Sequence, residues 1–178
     1  MKTIIIIVAL TLLGLIAAGA VANTINGQSI GGSTASEEAS SITVSVAGEV
    51  NRPGSYVLSE GATLLDLLTA AGGVNTNADP LAYNTDCVLK GKSYYIAPIY
   101  DNSNTCSTLP ISKANINGDD ADKLHDVAGF SKTVAAAIVS YRSSNGSFTC
   151  IEQIEEVSGI GPATFLATRD KITLRYAG

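Results

Sequence analysis

The stretch Val157-Ser158-Gly159-Ile160-Gly161-Pro162-Ala163-Thr164 places a Gly-apolar-Gly triplet between two runs that have helical spacing. Val127-Ala128-Gly129-Phe130-Ser131-Lys132-Thr133 repeats this pattern imperfectly, 30 residues earlier in the chain. Glycine adopts φ > 0 at little cost and lets the backbone approach a ligand closely. A helix that begins directly after such a turn has unpaired N–H groups and the positive end of its dipole at its start. The two turns therefore predict a pair of phosphate-binding sites built from backbone.

Helices are expected on both sides of each turn, within a domain over residues 114–176. Asp120 is predicted to be the N-cap of the first helix, and Gly146 to end the second. Pro162 suits the first position of the last helix because its missing N–H is not needed there. These helices are expected over residues 121–127, 132–144, 151–157 and 163–171, followed by a short extended tail.

Side chains beside the turns would add to the backbone contacts. The predicted phosphate-contacting residues are Gly129, Ser131, Lys132, Thr133, Gly159, Gly161, Thr164 and Arg169. Contacts of this kind give affinity but read no base sequence. The first turn has the poorer backbone but carries Lys132, whereas the second has the better backbone and few charges beside it. We therefore expect the second turn to depend on N–H groups and the first on its lysine.

The charge of the chain limits the classes of function. The net charge of −5 excludes a uniformly basic nucleic-acid binder but leaves room for a local basic surface. From Ser112 onward there are 7 basic and 8 acidic residues, so this part carries 7 − 8 = −1. The single histidine, His125, excludes His-rich metal sites and is expected to be a solvated surface residue. We find no nucleophile–base pair, metal cluster or Walker-type loop, so we expect no enzyme activity, metal or cofactor.

The N-terminal segment is apolar enough to cross a membrane. Residues 3–22 contain no charge, and a helix of this length spans a bilayer core of about 30 Å. Lys2 favours an orientation with the N-terminus in the cytoplasm and the remaining chain outside it. Ala20-Val21-Ala22 leaves a cleaved signal peptide as the alternative, but the apolar run is long for a signal. We favour a transmembrane anchor over residues 1–22, followed by a flexible linker over residues 23–41.

A first small domain is predicted over residues 42–99. Its pattern is strand, turn, strand, helix, Gly72-Gly73, and a last strand that ends at Pro98. This order resembles the SLBB domain, a β-grasp module of bacterial cell-surface and export proteins. The resemblance implies self-association or ligand contact, and a spacer role is the alternative. It depends on residues 46–50, Pro53-Gly54-Ser55-Tyr56, Leu64 to Leu68, Ala71-Gly72-Gly73, and Gly91 through Pro98.

The three cysteines lie too far apart for a metal-binding pair. Outside the cytoplasm disulfides persist, so one disulfide and one remaining thiol are expected. We favour Cys87–Cys106 because both residues flank one polar loop, and closing a loop of that size adds about 3 kcal/mol. Cys150 is expected to be buried. Residues 100–113 are predicted to connect the two domains.

The second domain resembles the tandem helix-hairpin-helix domain of ComEA-type competence proteins. The resemblance depends on Asn115-Ile116-Asn117, Leu124, Gly129, Ala137-Ile138, Tyr141-Arg142, Asn145-Gly146, Phe148, Val157 to Gly161 and Ile172-Thr173. With the anchor and the SLBB-like domain, it covers nearly the whole chain apart from the linkers. The fold class implied is α+β, with a transmembrane helix, a small β-grasp domain and an all-α tandem helix-hairpin-helix domain. The function implied is a membrane receptor for extracellular double-stranded DNA in natural transformation, which passes DNA to an uptake channel or pilus component.

This chain departs from the family pattern at both turns. Ala128, Phe130 and Ser131 stand where proline, isoleucine and glycine are common, and Pro162 and Ala163 replace polar or basic residues. Phosphate neutralisation requires clustered Lys or Arg. The alternative is a non-enzymatic envelope protein that binds protein or polysaccharide. If the second domain binds DNA, one face must gather most of its basic residues, including Lys113, Lys132, Arg142, Arg169, Lys171 and Arg175.

Overall fold

A computed structural model of the chain describes residues 40–101, 103 and 109–177. The described part combines a small sheet with helices, which confirms the mixed α+β class. The predicted transmembrane anchor and almost all of the predicted linker lie outside it. Within the described ranges, no helix is both long and apolar enough to cross a membrane. By its internal contacts, Glu38–Gly178 is one compact unit.

The first domain is a three-stranded sheet with one helix. Strand β1 pairs antiparallel with β2 and parallel with β3, giving the order β2-β1-β3. In β1 Val44 and Val46 are buried and the residues between and beside them are more exposed, because alternate side chains of a strand point to one face. The elements are β1 (Ser41–Gly48), β2 (Gly54–Ser59), α1 (Leu64–Ala70) and β3 (Ser93–Ile96).

Local sequence signals set the limits of helix α1. The backbone N–H of Thr63 donates to Asp66 Oδ2 at 2.8 Å, as the predicted capping pair requires. Gly72 and Gly73 follow the helix with φ values of 78° and 89°, which only glycine adopts freely. Leu67, on the inner side of the helix, is fully buried against the sheet.

The second domain is a tandem of two helical halves around one core. Strands β4 and β5 pair in parallel and bring the two ends of the domain together. Phe130 and Ile138 are among the largest fully buried side chains of this core. The elements are β4 (Ala114–Asn115), α2 (Ala121–Ala128), α3 (Lys132–Asn145), the 3-10 helix η1 (Ile151–Glu156), α4 (Pro162–Thr168), the 3-10 helix η2 (Arg169–Lys171) and β5 (Ile172–Thr173).

The helix starts in this domain match their sequence signals. Asp120 is the N-cap of α2, where its side chain accepts from the N–H of Lys123 at 2.8 Å. Pro162 is the first residue of α4. Two segments differ from the expected α-helices. Residues 151–156 form a 3-10 helix, and the last helix changes to 3-10 geometry at Arg169.

The disulfide predicted between Cys87 and Cys106 is wrong. Cys87 is bonded to Cys150, with the two Cα atoms 5.6 Å apart. Both cysteines are buried, and Cys150 packs within the core of the first domain although it lies just before η1 of the second. Sequence proximity across one loop misled the prediction, because domain packing decides which cysteines meet. Cys106 lies outside the described residues.

A buried carboxylate also joins the two domains beside this disulfide. Glu152 is only 3 % exposed, and its Oε1 accepts from the backbone N–H of Tyr95 in β3 at 2.8 Å. Lys92 Nζ donates to the backbone carbonyl of Glu152 at 3.4 Å. Burial raises the pKa of Glu152 to about 7, against the hydrogen bond from Tyr95 and the charge of Lys92, which both lower it. The junction therefore combines a disulfide with buried hydrogen bonds.

Candidate nucleic-acid interface

The two turns singled out in the sequence have the same backbone plan. Gly129 and Gly159 both adopt left-handed conformations, with φ of 83° and 92°. The apolar residue that follows each, Phe130 or Ile160, is buried in the core. The third residue is the N-cap of the next helix, Ser131 before α3 and Gly161 before α4, each with extended backbone. The repeat seen in the sequence is thus a structural repeat.

Ser131 fits its position without the conformational freedom of glycine. Its φ of −62° is an ordinary value for any residue. Its hydroxyl accepts from the N–H of Val134 at 3.3 Å, which is the usual contact of a serine N-cap. The N–H groups of Lys132 and Thr133 lie in the first turn of α3, where helix geometry provides no acceptor. The first turn therefore presents donors and an exposed lysine together.

The second turn presents fewer donors than its glycines suggest. Gly161 caps α4 with no side chain, and Pro162 has no N–H to donate. The N–H groups of Ala163 and Thr164 remain in the first helical turn. Gly161, Pro162 and Ala163 are exposed, and Thr164 is half-buried. This surface is open but carries no charge of its own.

The two turns lie next to each other. A Cβ built on Gly159 would be 3.1 Å from Cγ2 of Val134, a residue of the first turn of α3. The start of α3 therefore packs directly against the second turn. A side chain at position 159 would meet both an unfavourable φ and this close contact. The adjacency places two helix starts side by side, as a binder of neighbouring phosphates requires.

His125 supports the first turn, a role that the sequence reasoning missed. It is half-buried near the end of α2, and its Nδ1 lies 2.5 Å from the carbonyl oxygen of Phe130. Because a carbonyl only accepts, Nδ1 carries the proton and donates. The sequence shows how far His125 lies from Phe130 along the chain. It does not show in which direction the imidazole ring of His125 points.

Seven of the eight predicted phosphate-contacting residues lie at the two turns. Arg169 does not, because it follows α4, about 12 Å along the helix axis from Gly161 at 1.5 Å per residue. Its guanidinium carbon lies 3.6 Å from the ring centroid of Tyr95 in the first domain. The seven at the turns are Gly129, Ser131, Lys132, Thr133, Gly159, Gly161 and Thr164.

The basic residues of the second domain do not gather on one face. Lys113 forms a buried ion pair with Asp79 of the first domain at 2.6 Å. Arg142 and Arg175 donate to backbone carbonyls, Arg142 to Ile116 and Arg175 to Pro80. With Arg169 stacked on Tyr95, the cations that remain exposed in this domain without a described partner are Lys132 and Lys171. Backbone donors and Lys132 must then provide most of the attraction at the turns.

No group of His, Cys, Asp and Glu residues in the described part of the chain is placed to hold a metal ion. The geometry of the site is that of two adjacent, exposed helix starts preceded by glycine turns. This arrangement suits an anion that is held by backbone donors.

Comparisons with known proteins agree with this geometry. A model of the helix-hairpin-helix motif matches residues 110–173, and a model of the SLBB domain matches residues 43–97. The fold and the paired turns thus define a helix-hairpin-helix protein that also carries an SLBB domain.

Two relatives make the assignment more specific. The chain is 28% identical over 149 residues to ComE operon protein 1 of Bacillus subtilis strain 168, covering 78% of this chain and 73% of the relative. An uncharacterized protein of Haemophilus influenzae is 43% identical over 61 residues, which covers 34% of this chain and 54% of that protein. Together, the two family models and the similarity to ComE operon protein 1 support a ComEA-type protein. The two family models and the first relative support DNA as the partner of the second domain.

Proposed function

We propose that the protein is a membrane-anchored receptor, not an enzyme, that binds double-stranded DNA outside the cytoplasm during natural transformation. The adjacency of the two turns supports this proposal most directly. Two helix starts meet where Gly159 packs against Val134, and each begins with exposed residues whose first N–H groups have no acceptor within the helix. A DNA strand carries neighbouring phosphates, and two adjacent sets of backbone donors can bind them.

Binding is independent of base sequence in this proposal. The contacting groups are backbone N–H groups, the hydroxyl of Thr133 and the ammonium of Lys132. Such groups position a protein on the phosphate backbone, whereas sequence is read by side chains that reach base edges. AT-rich and GC-rich duplexes of equal length should therefore bind with affinities that agree within about twofold.

Few charges take part, so the salt dependence of binding should be moderate. The logarithm of the affinity falls with a slope of about −0.9 per neutralised phosphate. Lys132 carries the charge at the turns, and the two helix dipoles add about half a charge each, so the turns alone predict a slope of about −1 to −2. Fluorescence anisotropy of a labelled duplex with residues 38–178, titrated from 50 to 200 mM salt, measures it. No binding at the lowest salt concentration would refute the proposed function.

The location outside the cytoplasm rests on two observations. Residues 3–22 are uncharged and long enough for an anchor. The disulfide between Cys87 and Cys150 is of a kind that persists in oxidising compartments. Protease added to intact cells should then digest the C-terminal domains while the cytoplasmic proteins remain intact. Protection of these domains until the cells are lysed would contradict this location.

The alternative of a protein- or polysaccharide-binding envelope protein has one observation in its favour. The exposed side of α4 carries only apolar residues, and Leu166 there is 57% exposed. Such a surface suits a protein partner better than a phosphate. This alternative predicts association that survives high salt and is unaffected by charge changes at the turns. Handover to an uptake channel, and self-association through the first domain, remain part of the proposal.

A further inference from the structure

A groove of about 230 Å³ leads from the second turn to the first domain. One end is formed by Pro162, the residue directly after Gly161, and the other by the residues that begin β3. The groove thus continues the candidate DNA surface across the domain junction. Residues that line it include Lys92, Ser93, Tyr95, Pro162, Leu166 and Arg169.

Both walls of the groove carry a cation. Lys92, from the first domain, has one hydrogen-bond acceptor in the described part of the chain, the carbonyl of Glu152 at 3.4 Å. An ammonium has three donors, so two are available to a ligand. On the opposite wall the guanidinium of Arg169 lies over the ring of Tyr95, and its Nε is buried with no hydrogen-bond partner among the described residues. Both side chains are half-buried, which limits their rotamer freedom.

A third cation stands beside the groove. Lys90 has a side chain that is 71% exposed, and its Nζ lies 3.7 Å from Oε1 of Glu156. An exposed ion pair at this distance contributes little, so a phosphate can compete with it. The acidic residue that lines the groove is Glu155.

We propose that Lys90, Lys92 and Arg169 bind phosphates of the same DNA duplex that the turns hold. This inference rests on the proposed function and extends it to the first domain. The second turn has Pro162 and Ala163 in its first helical positions and therefore no charge there. The groove provides Arg169 about 12 Å farther along α4, with Lys92 on the first-domain side. A duplex carries about one negative charge per 1.7 Å of its axis, so this distance spans several phosphates.

The domain junction holds these cations in place. The disulfide of Cys150 with Cys87 and the hydrogen bond from Tyr95 to Glu152 fix β3 against the second domain. The first domain then acts as part of the DNA-binding surface and not only as a spacer. Preorganised cations lose less side-chain entropy on binding than mobile ones.

The test compares two single-charge variants of the first domain by salt-titrated anisotropy with a labelled duplex. Lys92→Gln removes a groove cation. Arg52→Gln removes an exposed cation that follows β1, at the end of the sheet away from Lys92; its guanidinium donates to the carbonyl of Ala70, and glutamine keeps a donor there. We expect Lys92→Gln to make the slope less steep by about 0.9, so that its affinity loss is about 3.5-fold larger at 50 mM than at 200 mM salt. Arg52→Gln should leave the slope unchanged.

Further variants separate charge from folding. Lys90→Gln, at an exposed site, should reduce the slope similarly, and Lys92→Arg should restore that of Lys92→Gln. Glu155→Gln should strengthen binding at low salt. If the wild type binds DNA but Lys92→Gln and Lys90→Gln keep its slope, the inference fails while the proposed function stands. If the wild type does not bind at all, the proposed function itself fails.

Discussion

Replacing Glu152 by glutamine should remove a pH dependence from the stability of the domain junction. The side chain is almost fully buried, and its pKa is raised to about 7 from an ordinary value of 4.5. Glutamine keeps a side-chain oxygen that can accept from the N–H of Tyr95 but carries no charge at any pH. The variant therefore isolates the effect of ionisation from that of the hydrogen bond.

The sign and size of the effect follow from the pKa of Glu152 in the folded protein, about 7, and its ordinary value of 4.5 in the unfolded chain. Below pH 4.5 the carboxyl of Glu152 is protonated in both states and contributes no pH dependence. Between 4.5 and about 7 the unfolded chain ionises first, so the free energy of unfolding falls as pH rises. Above pH 7 the folded state bears the full cost of ionising the buried carboxyl of Glu152. At 1.36 kcal/mol per pKa unit it is about 3 kcal/mol.

Urea unfolding of residues 38–178 at pH 5, 6, 7 and 8, with the disulfide intact, measures this difference. The wild type should lose about 2.5 kcal/mol relative to Glu152→Gln between pH 5 and pH 8, because part of the cost is already present at pH 5. The glutamine amide also adds donors, so the change with pH is the readout and not the stability at one pH. Glu152→Ala leaves the N–H of Tyr95 without its acceptor and should be less stable than Glu152→Gln by about 1–3 kcal/mol. Parallel pH curves for the wild type and Glu152→Gln would refute the reasoning.

Three further predictions concern the disulfide and the turns. Replacing Cys87 and Cys150 by serine should reduce the free energy of unfolding by about 4 kcal/mol, because the bond closes a loop of 63 residues; a urea midpoint within error of the wild type would contradict this. Gly159→Ala should cost about 1–2 kcal/mol by thermal unfolding because of its positive φ and its contact with Val134. Its control, Gly161→Ala, has ordinary φ and no described atom within 4 Å, and should cost clearly less; equal losses would argue against the close contact. His125→Ala should lower DNA affinity in anisotropy titrations and His125→Asn, which keeps a donor near Nδ1, should retain more of it; equal affinities would show that the contact to Phe130 is not needed.

Features governed by local sequence could be predicted well. The positions of Gly129 and Gly159, the capping role of Asp120 and the helix start at Pro162 all depend on residues a few positions apart. Each of these residues strongly favours one local backbone conformation. Its position in the sequence therefore predicts the local structure whatever packs around it. The two turns could thus be placed, although the sequence did not show that they are adjacent.

Features governed by domain packing could not be predicted in this way. Cys87 pairs with Cys150 across 63 positions because the start of η1 lies on the core of the first domain. Arg169 was expected at the turns but stacks on Tyr95, and Arg142 donates to a backbone carbonyl instead of joining a basic face. A side chain's sequence position fixes its place on a helix, but the neighbouring domain decides what it contacts.

Substitutions at the two N-caps can change DNA binding without reducing the stability of the fold. Ser131 and Gly161 are N-caps with extended backbone, a position where aspartate is as favourable as serine. Ser131→Asp and Gly161→Asp should therefore fold at least as stably as the wild type. Each places a carboxylate where we expect a phosphate, and two such charges about 4 Å apart repel by about 1 to 4 kcal/mol, depending on the local dielectric.

Two double variants show whether phosphates bind at the paired turns. Duplex binding by Ser131→Asp/Gly161→Asp at 50 mM salt is compared with binding by the neutral control Ser131→Asn/Gly161→Asn. Asparagine is an equally good N-cap of almost the same size, so the two variants differ mainly in charge. If the paired turns hold phosphates, the aspartate variant should bind at least about tenfold more weakly than the asparagine variant while unfolding at the same or a higher temperature. Equal affinities for the two folded variants would show that DNA does not bind at these turns.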